Sequence, residues 1–145
     1  MTADDARLTL AQRELDEAAR DWLSARLLAR EAFYRQAITR LYFATFHTAQ
    51  ALLAAHGVEA ANHEAVQRLI GLHLVVLGAL PKEAGRALSS LLSRRHEADD
   101  RLLVDIDEGT WLAARSEAIT FFGAASVYLR RAWPQLSLPT DLGAQ

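Results

Sequence analysis

From Asp4 to His56 the chain contains neither glycine nor proline; the first glycine is Gly57 and the first proline is Pro81. Alanine, leucine, arginine and glutamate dominate this stretch, and all four are good or tolerable helix formers. Asp4 and Asp5 suit a helix start, where carboxylates meet the positive end of the backbone dipole. Leu8, Ala11, Leu15, Ala18, Trp22 and Ala25 then recur at helical spacing. A second stripe runs through Phe33, Ala37, Leu41, Ala44 and Ala51. One uninterrupted helix of this length would lie far outside the usual range, so a break is expected near Arg30–Phe33 on helix-length grounds alone.

Between Leu41 and Ala55 the second helix is apolar on nearly every side, the pattern of a central, buried helix. His56 and Gly57 end it, Gly57 being suited to a C-terminal cap. Asn62 is the expected N-cap of a third helix with Val66, Leu69, Ile70, His73, Leu74 and Leu77 on its inner face. Gly78 and Pro81 separate it from a fourth, whose stripe is Leu88, Leu91, Leu92, Arg95, Asp99 and Leu102. After the acidic turn 105–109, Thr110 can cap a fifth helix with Ala114, Ala118, Phe121, Phe122, Ala125 and Leu129 inward; Trp133-Pro134 stops it. No repeat and no strand alternation is visible. The expected fold is all-α, a five-helix up-and-down bundle over residues 1–133, followed by a flexible tail at 134–145. Phe43, Phe46, Leu52, Leu69, Leu91, Phe121 and Phe122 are the expected core.

A chain of 145 residues suits one domain and needs no disulfide or metal to close its core. It has no cysteine, which excludes thiol catalysis and any Cys-ligated zinc or iron–sulfur site. Met1–Asp5 is polar and acidic where a signal peptide needs a basic start and an apolar core. No apolar stretch reaches the roughly 20 residues of a membrane span, so a cytoplasmic protein without membrane contact is expected. The net charge of -2 gives no overall attraction for nucleic acid. Yet all basic residues except Lys82 are arginines, which suit bidentate phosphate contacts.

Two charged pairs interrupt apolar stripes. Arg95 and Asp99 lie four apart on the fourth helix, in line with its leucines. Charges there are costly unless paired or facing a shared surface. They form either an ion pair at the edge of the core or part of a charged cleft at a dimer seam. Arg40 and His47 lie two turns apart and so point to one side of the central helix. They are expected in one internal or subunit-lined crevice near Tyr42 or Gln50. His47 is either a hydrogen-bonded core histidine or a proton donor and acceptor near neutral pH. Arg68 and His73 are turned about 140° apart on a regular helix and share no face. None of the five histidines pairs as H-x3-H or HExxH, so no metal and no cofactor are expected.

The run AITRLYFATFHTAQALLAAHG, residues 37–57, resembles small HEPN-domain proteins whose second helix reads A-x-S-R-x-Y-Y-A-x-F-H-A-A-x-A-L-L. Thr39, Arg40, Tyr42, Phe43, Ala44, Phe46, His47, Ala49, Ala51, Leu52 and Leu53 occupy the matching places. The family's T-H-S-G-V…H-F segment is matched at His63, Val66 and His73, and its R-x-x-A-D-Y segment at Arg95, Ala98 and Asp99. Order and spacing agree from about residue 10 to 132. The resemblance implies a helical bundle that commonly dimerises, in relatives often encoded beside a minimal nucleotidyltransferase in toxin–antitoxin or defence pairs. Active members of the wider family are metal-independent RNases with R-x4-6-H on a late helix, the motifs of two subunits meeting at the seam.

This sequence departs from that motif. Arg95 is followed by Asp99 and Asp100 with no histidine four to six residues on; His96 is adjacent, and Asp100 replaces the subfamily's tyrosine. The resemblance therefore implies a homodimeric component of such a pair, a non-catalytic module that binds a nucleotide or a nucleotidyltransferase partner. The alternative is an RNase toxin acting on RNA at the dimer seam. For catalysis the candidates are Arg95, His96 and His47; for nucleotide or phosphate binding they are Arg40, Arg95, Asp99 and His63.

Overall fold

A computed structural model of the chain describes residues 2–100 and 105–139, apart from the side chain of Asp100. It contains α1 (Ala3–Arg30), α2 (Tyr34–Ala55), α3 (His63–Ile70), α4 (Lys82–Asp100) and α5 (Glu108–Ala132), and no strand among the described residues. Side-chain pairing gives the directions. Asp21 meets Arg40 while Glu14 meets His47, so α1 and α2 run antiparallel. Thr39 meets Asp99 and Phe43 meets Arg95, so α4 is antiparallel to α2. Tyr34 meets Glu108 and His56 meets Tyr128, so α5 runs parallel to α2. The four long helices go up, down, up, down, with α3 in the connection between α2 and α4.

α1 opens with a reciprocal cap: Asp5 N–H donates to Thr2 Oγ1 at 3.1 Å and Thr2 N–H donates to Asp5 Oδ2 at 3.2 Å. It ends in a Schellman motif at the expected break. Phe33 N–H donates to the Leu28 carbonyl at 2.8 Å and Ala32 N–H to that of Ala29 at 3.0 Å. The left-handed residue of this motif is Ala32, with φ 63°, where glycine is the usual choice. α2 closes the same way with Gly57 at φ 73°, through Val58 N–H to Leu53 O and Gly57 N–H to Ala54 O, both 2.9 Å. A Cβ at Gly57 would meet the Arg7 guanidinium at 2.5 Å.

The core has two layers. One gathers Leu15, Leu52, Ile70, Leu74, Leu88, Phe121 and Leu129; the other gathers Trp22, Ile38, Leu41, Tyr42, Leu91, Trp111 and Phe122. Trp22 meets Phe122 edge-on at 5.2 Å, tying α1 to α5. Leu52, Leu91, Phe121 and Phe122 are buried as expected, whereas Phe43, Phe46 and Leu69 are only partly covered. Within α2 the buried hydroxyls of Thr45 and Thr48 donate to the carbonyls of Leu41 and Ala44, so no partner outside the helix is needed.

Three local expectations are corrected. Phe33 is exposed, because it lies in the corner before α2. His73 and Leu77 face outward, Leu77 being 76% exposed, because a π turn at Gly71–Val75 inserts a residue and shifts the helical phase. The cap of α5 is Asp107, whose Oδ1 accepts from Thr110 N–H at 2.9 Å; Thr110 itself lies inside the helix. Leu102 lies outside the described residues. Of the segment assigned to a tail, residues 136–138 lie against the body: Ser137 N–H donates to Gln12 Oε1 at 2.8 Å, and Leu136 and Leu138 touch the core. Residues 140–145 lie outside the described residues.

A left-handed alanine costs about 1–2 kcal/mol, while glycine gives back part of that gain through its freer unfolded chain. Ala32→Gly is therefore expected to stabilise the fold by about 0.5–1 kcal/mol. Urea unfolding should show a higher midpoint with an unchanged slope. A lower midpoint would mean that the corner depends on the Ala32 methyl.

Candidate functional site

α2 is enclosed by neighbours, so the polar residues that interrupt its apolar surface must find partners on other helices. Two turns separate Arg40 from His47, and two turns separate Glu14 from Asp21 on antiparallel α1. The four interlock. Arg40 Nη1 lies 3.2 Å from Asp21 Oδ1, His47 Nε2 lies 3.6 Å from Asp21 Oδ2, and His47 Nδ1 lies 2.6 Å from Glu14 Oε2. His47 thus faces a carboxylate at each ring nitrogen. The hydrogen bond to Glu14 raises its pKa above the ordinary histidine value, against the effect of burial. Burial likewise pushes the Asp21 carboxyl up, against the pull of Arg40 and His47. With a carboxylate at each ring nitrogen, His47 has no open position from which to serve a substrate as a general base.

The other polar group lies across α2, α3 and α4, and Tyr42 belongs to it rather than to Arg40 and His47. Tyr42 is buried, and its hydroxyl lies 2.8 Å from His63 Nδ1. Burial pushes the phenol up to about 12, so it keeps its proton and donates. Burial and the nearby Arg95 lower the His63 pKa, so its imidazole is neutral. With Nδ1 accepting from Tyr42, the remaining proton sits on Nε2. The His63 ring stacks on Phe46 at 4.1 Å.

Phe43 joins the two groups. Arg40 and Arg95 each place a guanidinium carbon over its ring, 5.2 Å from the centroid. Arg95 also lies over Tyr42 at 5.5 Å. Its Nε is 3.0 Å from Asp99 Oδ2, near enough for an ion pair, but this buried N–H is not aligned as a hydrogen bond to any acceptor. Asp99 Oδ1 accepts from Thr39 Oγ1 at 2.7 Å. Arg35, Thr39, Arg40 and Asp99 border a groove of about 470 Å³ beside this platform, and Arg35 donates to the Ala98 carbonyl.

The structure brings Arg40, Arg95 and His63 around Phe43, with Asp99 paired to Arg95, and holds His47 beside Phe43 and Phe46 on the α1 side. His96 lies about 100° round α4 from Arg95, half exposed, 4.0 Å from Glu64 and near enough to His63 to help lower its pKa. Sequence reasoning missed Asp21, Glu14 and the platform formed by Phe43 and Phe46. The signal for the first two was available: Asp21 sits among Ala18, Trp22 and Ala25 on the buried stripe, and Glu14 repeats the seven-residue spacing of Arg40 and His47. Among the described residues no group of three or more His, Asp or Glu side chains is arranged to hold a metal ion. No helix among them is long and apolar enough to cross a membrane.

The raised His47 pKa sets a pH window. Its contribution to stability is complete below the ordinary histidine value of about 6.5 and is lost as pH rises through the folded-state value. His47→Gln should therefore lower the melting temperature most near pH 6 and least near pH 9. A deficit that is the same at both pH values would show that His47 acts by packing alone.

The HEPN domain family matches residues 11–124. Similar proteins include "Putative toxin MJ0605" of Methanocaldococcus jannaschii, 35% identical over 86 residues, which cover 59% of this chain and 64% of that protein. "UPF0332 protein glr0978" of Gloeobacter violaceus is 37% identical over 82 residues, covering 56% and 65%. "UPF0332 protein PH1297" of Pyrococcus horikoshii is 36% identical over 66 residues, covering 46% of each chain. Each match spans less than two thirds of the relative's length. With the family matched across most of its length, on an all-helical bundle, the chain belongs to the HEPN domain family.

Proposed function

We propose that this chain is the HEPN component of a toxin–antitoxin or defence-type pair and that it binds a nucleotide or RNA phosphate on the α2–α4 face without cleaving it. The carrying observation is the pair of guanidiniums, Arg40 and Arg95, over the Phe43 ring, with Arg40 and the Arg95 partner Asp99 also lining an open groove. Cationic groups over aromatic rings are what a base and its phosphate require of a binding surface. Binding without cleavage is supported by the state of the histidines. His47 is held between carboxylates, His63 is neutral and bonded to Tyr42, and the exposed His96 lies 4.0 Å from Glu64. The toxin name of the Methanocaldococcus relative supports the assignment to such a pair. A minimal nucleotidyltransferase is the proposed protein partner, on the family resemblance.

The proposal includes a homodimer with Arg95 and Asp99 at or beside its seam. The pair interrupts the leucine stripe of α4, and a charged pair is better satisfied at a symmetric interface than inside one core. One observation favours the second reading, a metal-independent RNase. α3 brings His63 close enough to Arg95 for the cation to lower its pKa, which supplies an arginine–histidine pair from two helices in place of the motif missing from one.

The test is RNA cleavage without metal, alongside fluorescence-anisotropy binding of a labelled single-stranded RNA and of AMP. Binding without cleavage, weakened about tenfold by Arg95→Ala, is expected. Cleavage that His63→Ala and Arg95→Ala both abolish would replace this reading with the RNase. Neither binding nor cleavage would reject both. Light scattering should give about twice the chain mass of 16.0 kDa, and a monomer would remove the seam.

A further inference from the structure

A second cationic cavity lies at the end of the bundle where α1 stops, α2 begins and α5 begins. Arg26 and Arg30 from α1, Tyr34 from α2, and Glu108, Trp111 and Arg115 from α5 line it, around a volume of about 220 Å³. It shares no lining residue with the α2–α4 groove. Arg26 and Arg30 are one turn apart on α1, as Trp111 and Arg115 are on α5, so each helix turns one edge of matched residues to the same space. Arg30 of α1 and Arg115 of α5 therefore border the space together with Glu108, which accepts from the Tyr34 hydroxyl at 3.1 Å.

Arg30 and Arg115 come from different helices, so an anion between them can take donors from both sides. A guanidinium matches phosphate oxygens with two parallel N–H donors, and several of them favour a doubly charged group over a singly charged one. The rest of the lining is apolar or aromatic: Trp111 is almost buried, while Tyr34 is partly open and Leu112 is exposed. The volume is below the roughly 300 Å³ at which drug-sized sites begin, which suits a terminal phosphate and the first ring of its carrier.

We propose that this cavity binds a small phosphate monoester carried on a flat ring, with Arg30 and Arg115 contacting the phosphate, independently of the α2–α4 face. Phenyl phosphate is the probe, titrated by calorimetry against the full chain, with inorganic phosphate and phenol for comparison. Saturable binding in roughly the submillimolar range is expected, tighter than for inorganic phosphate and absent for phenol. Arg30→Ala and Arg115→Ala should each weaken it about tenfold, circular dichroism confirming that both variants fold. Glu108→Gln should tighten it, because a negative charge leaves the cavity while the acceptor for Tyr34 remains. Arg95→Ala should leave it unchanged, so this cavity and the α2–α4 proposal fail separately. No saturation by roughly 10 mM would overturn the site, as would an affinity that neither arginine variant alters or that Arg95→Ala abolishes. Equal affinity for phenyl phosphate and inorganic phosphate would overturn the role of the ring.

Discussion

Enclosing α2 is the constraint on which the rest of the molecule depends. A helix with neighbours on almost every side can keep polar groups only if each is answered at its own height along the axis. Thr45 and Thr48 are answered by the helix's own carbonyls, Tyr42 by His63 on α3, Arg40 and His47 by Asp21 and Glu14 on α1, and Thr39 by Asp99 on α4. These pairings fix the register of three neighbours against one helix. The alanines of α2 do the complementary job. Ala37, Ala44, Ala49 and Ala51 are fully buried and small, so neighbouring backbones approach closely without leaving voids.

The candidate surface is a by-product of this arrangement. Phe43 and Phe46 lie at the edge of the enclosure, where α2 emerges between α3 and α4, and both remain partly open. Their rings then serve as the floor on which Arg40, Arg95 and His63 are laid. Low polarity beneath these groups strengthens their electrostatics and keeps the neighbouring His63 neutral. The same burial that stabilises the bundle thus tunes the groups at its edge.

How much of this the sequence discloses depends on whether an interaction is local. Apolar periodicity places α1, α2 and α5 and their buried faces, since each stripe answers only to its own helix. The α1–α2 corner is legible only through length, because Ala32 occupies a left-handed position with no glycine to mark it. The π turn is invisible to a regular period and so reverses His73 and Leu77. Asp107 displaces Thr110 as a cap because two adjacent capping patterns compete and only geometry chooses. At the candidate site, Arg40 and His47 could be placed on one face from spacing. The carboxylates opposite them, and the move of Tyr42 to the other side, depend on which helix lies where, and a single chain pattern does not encode that directly.

Asp21 offers one oxygen to Arg40 and the other to His47. A single carboxylate shared in this way makes two residues on different turns of α2 thermodynamically interdependent. Arg40 and His47 each lower the pKa of that carboxylate, so the loss of one changes the group that the other meets. Their energies therefore do not sum, and a double-mutant cycle between them would carry a coupling term that reports on Asp21, a residue altered in neither variant.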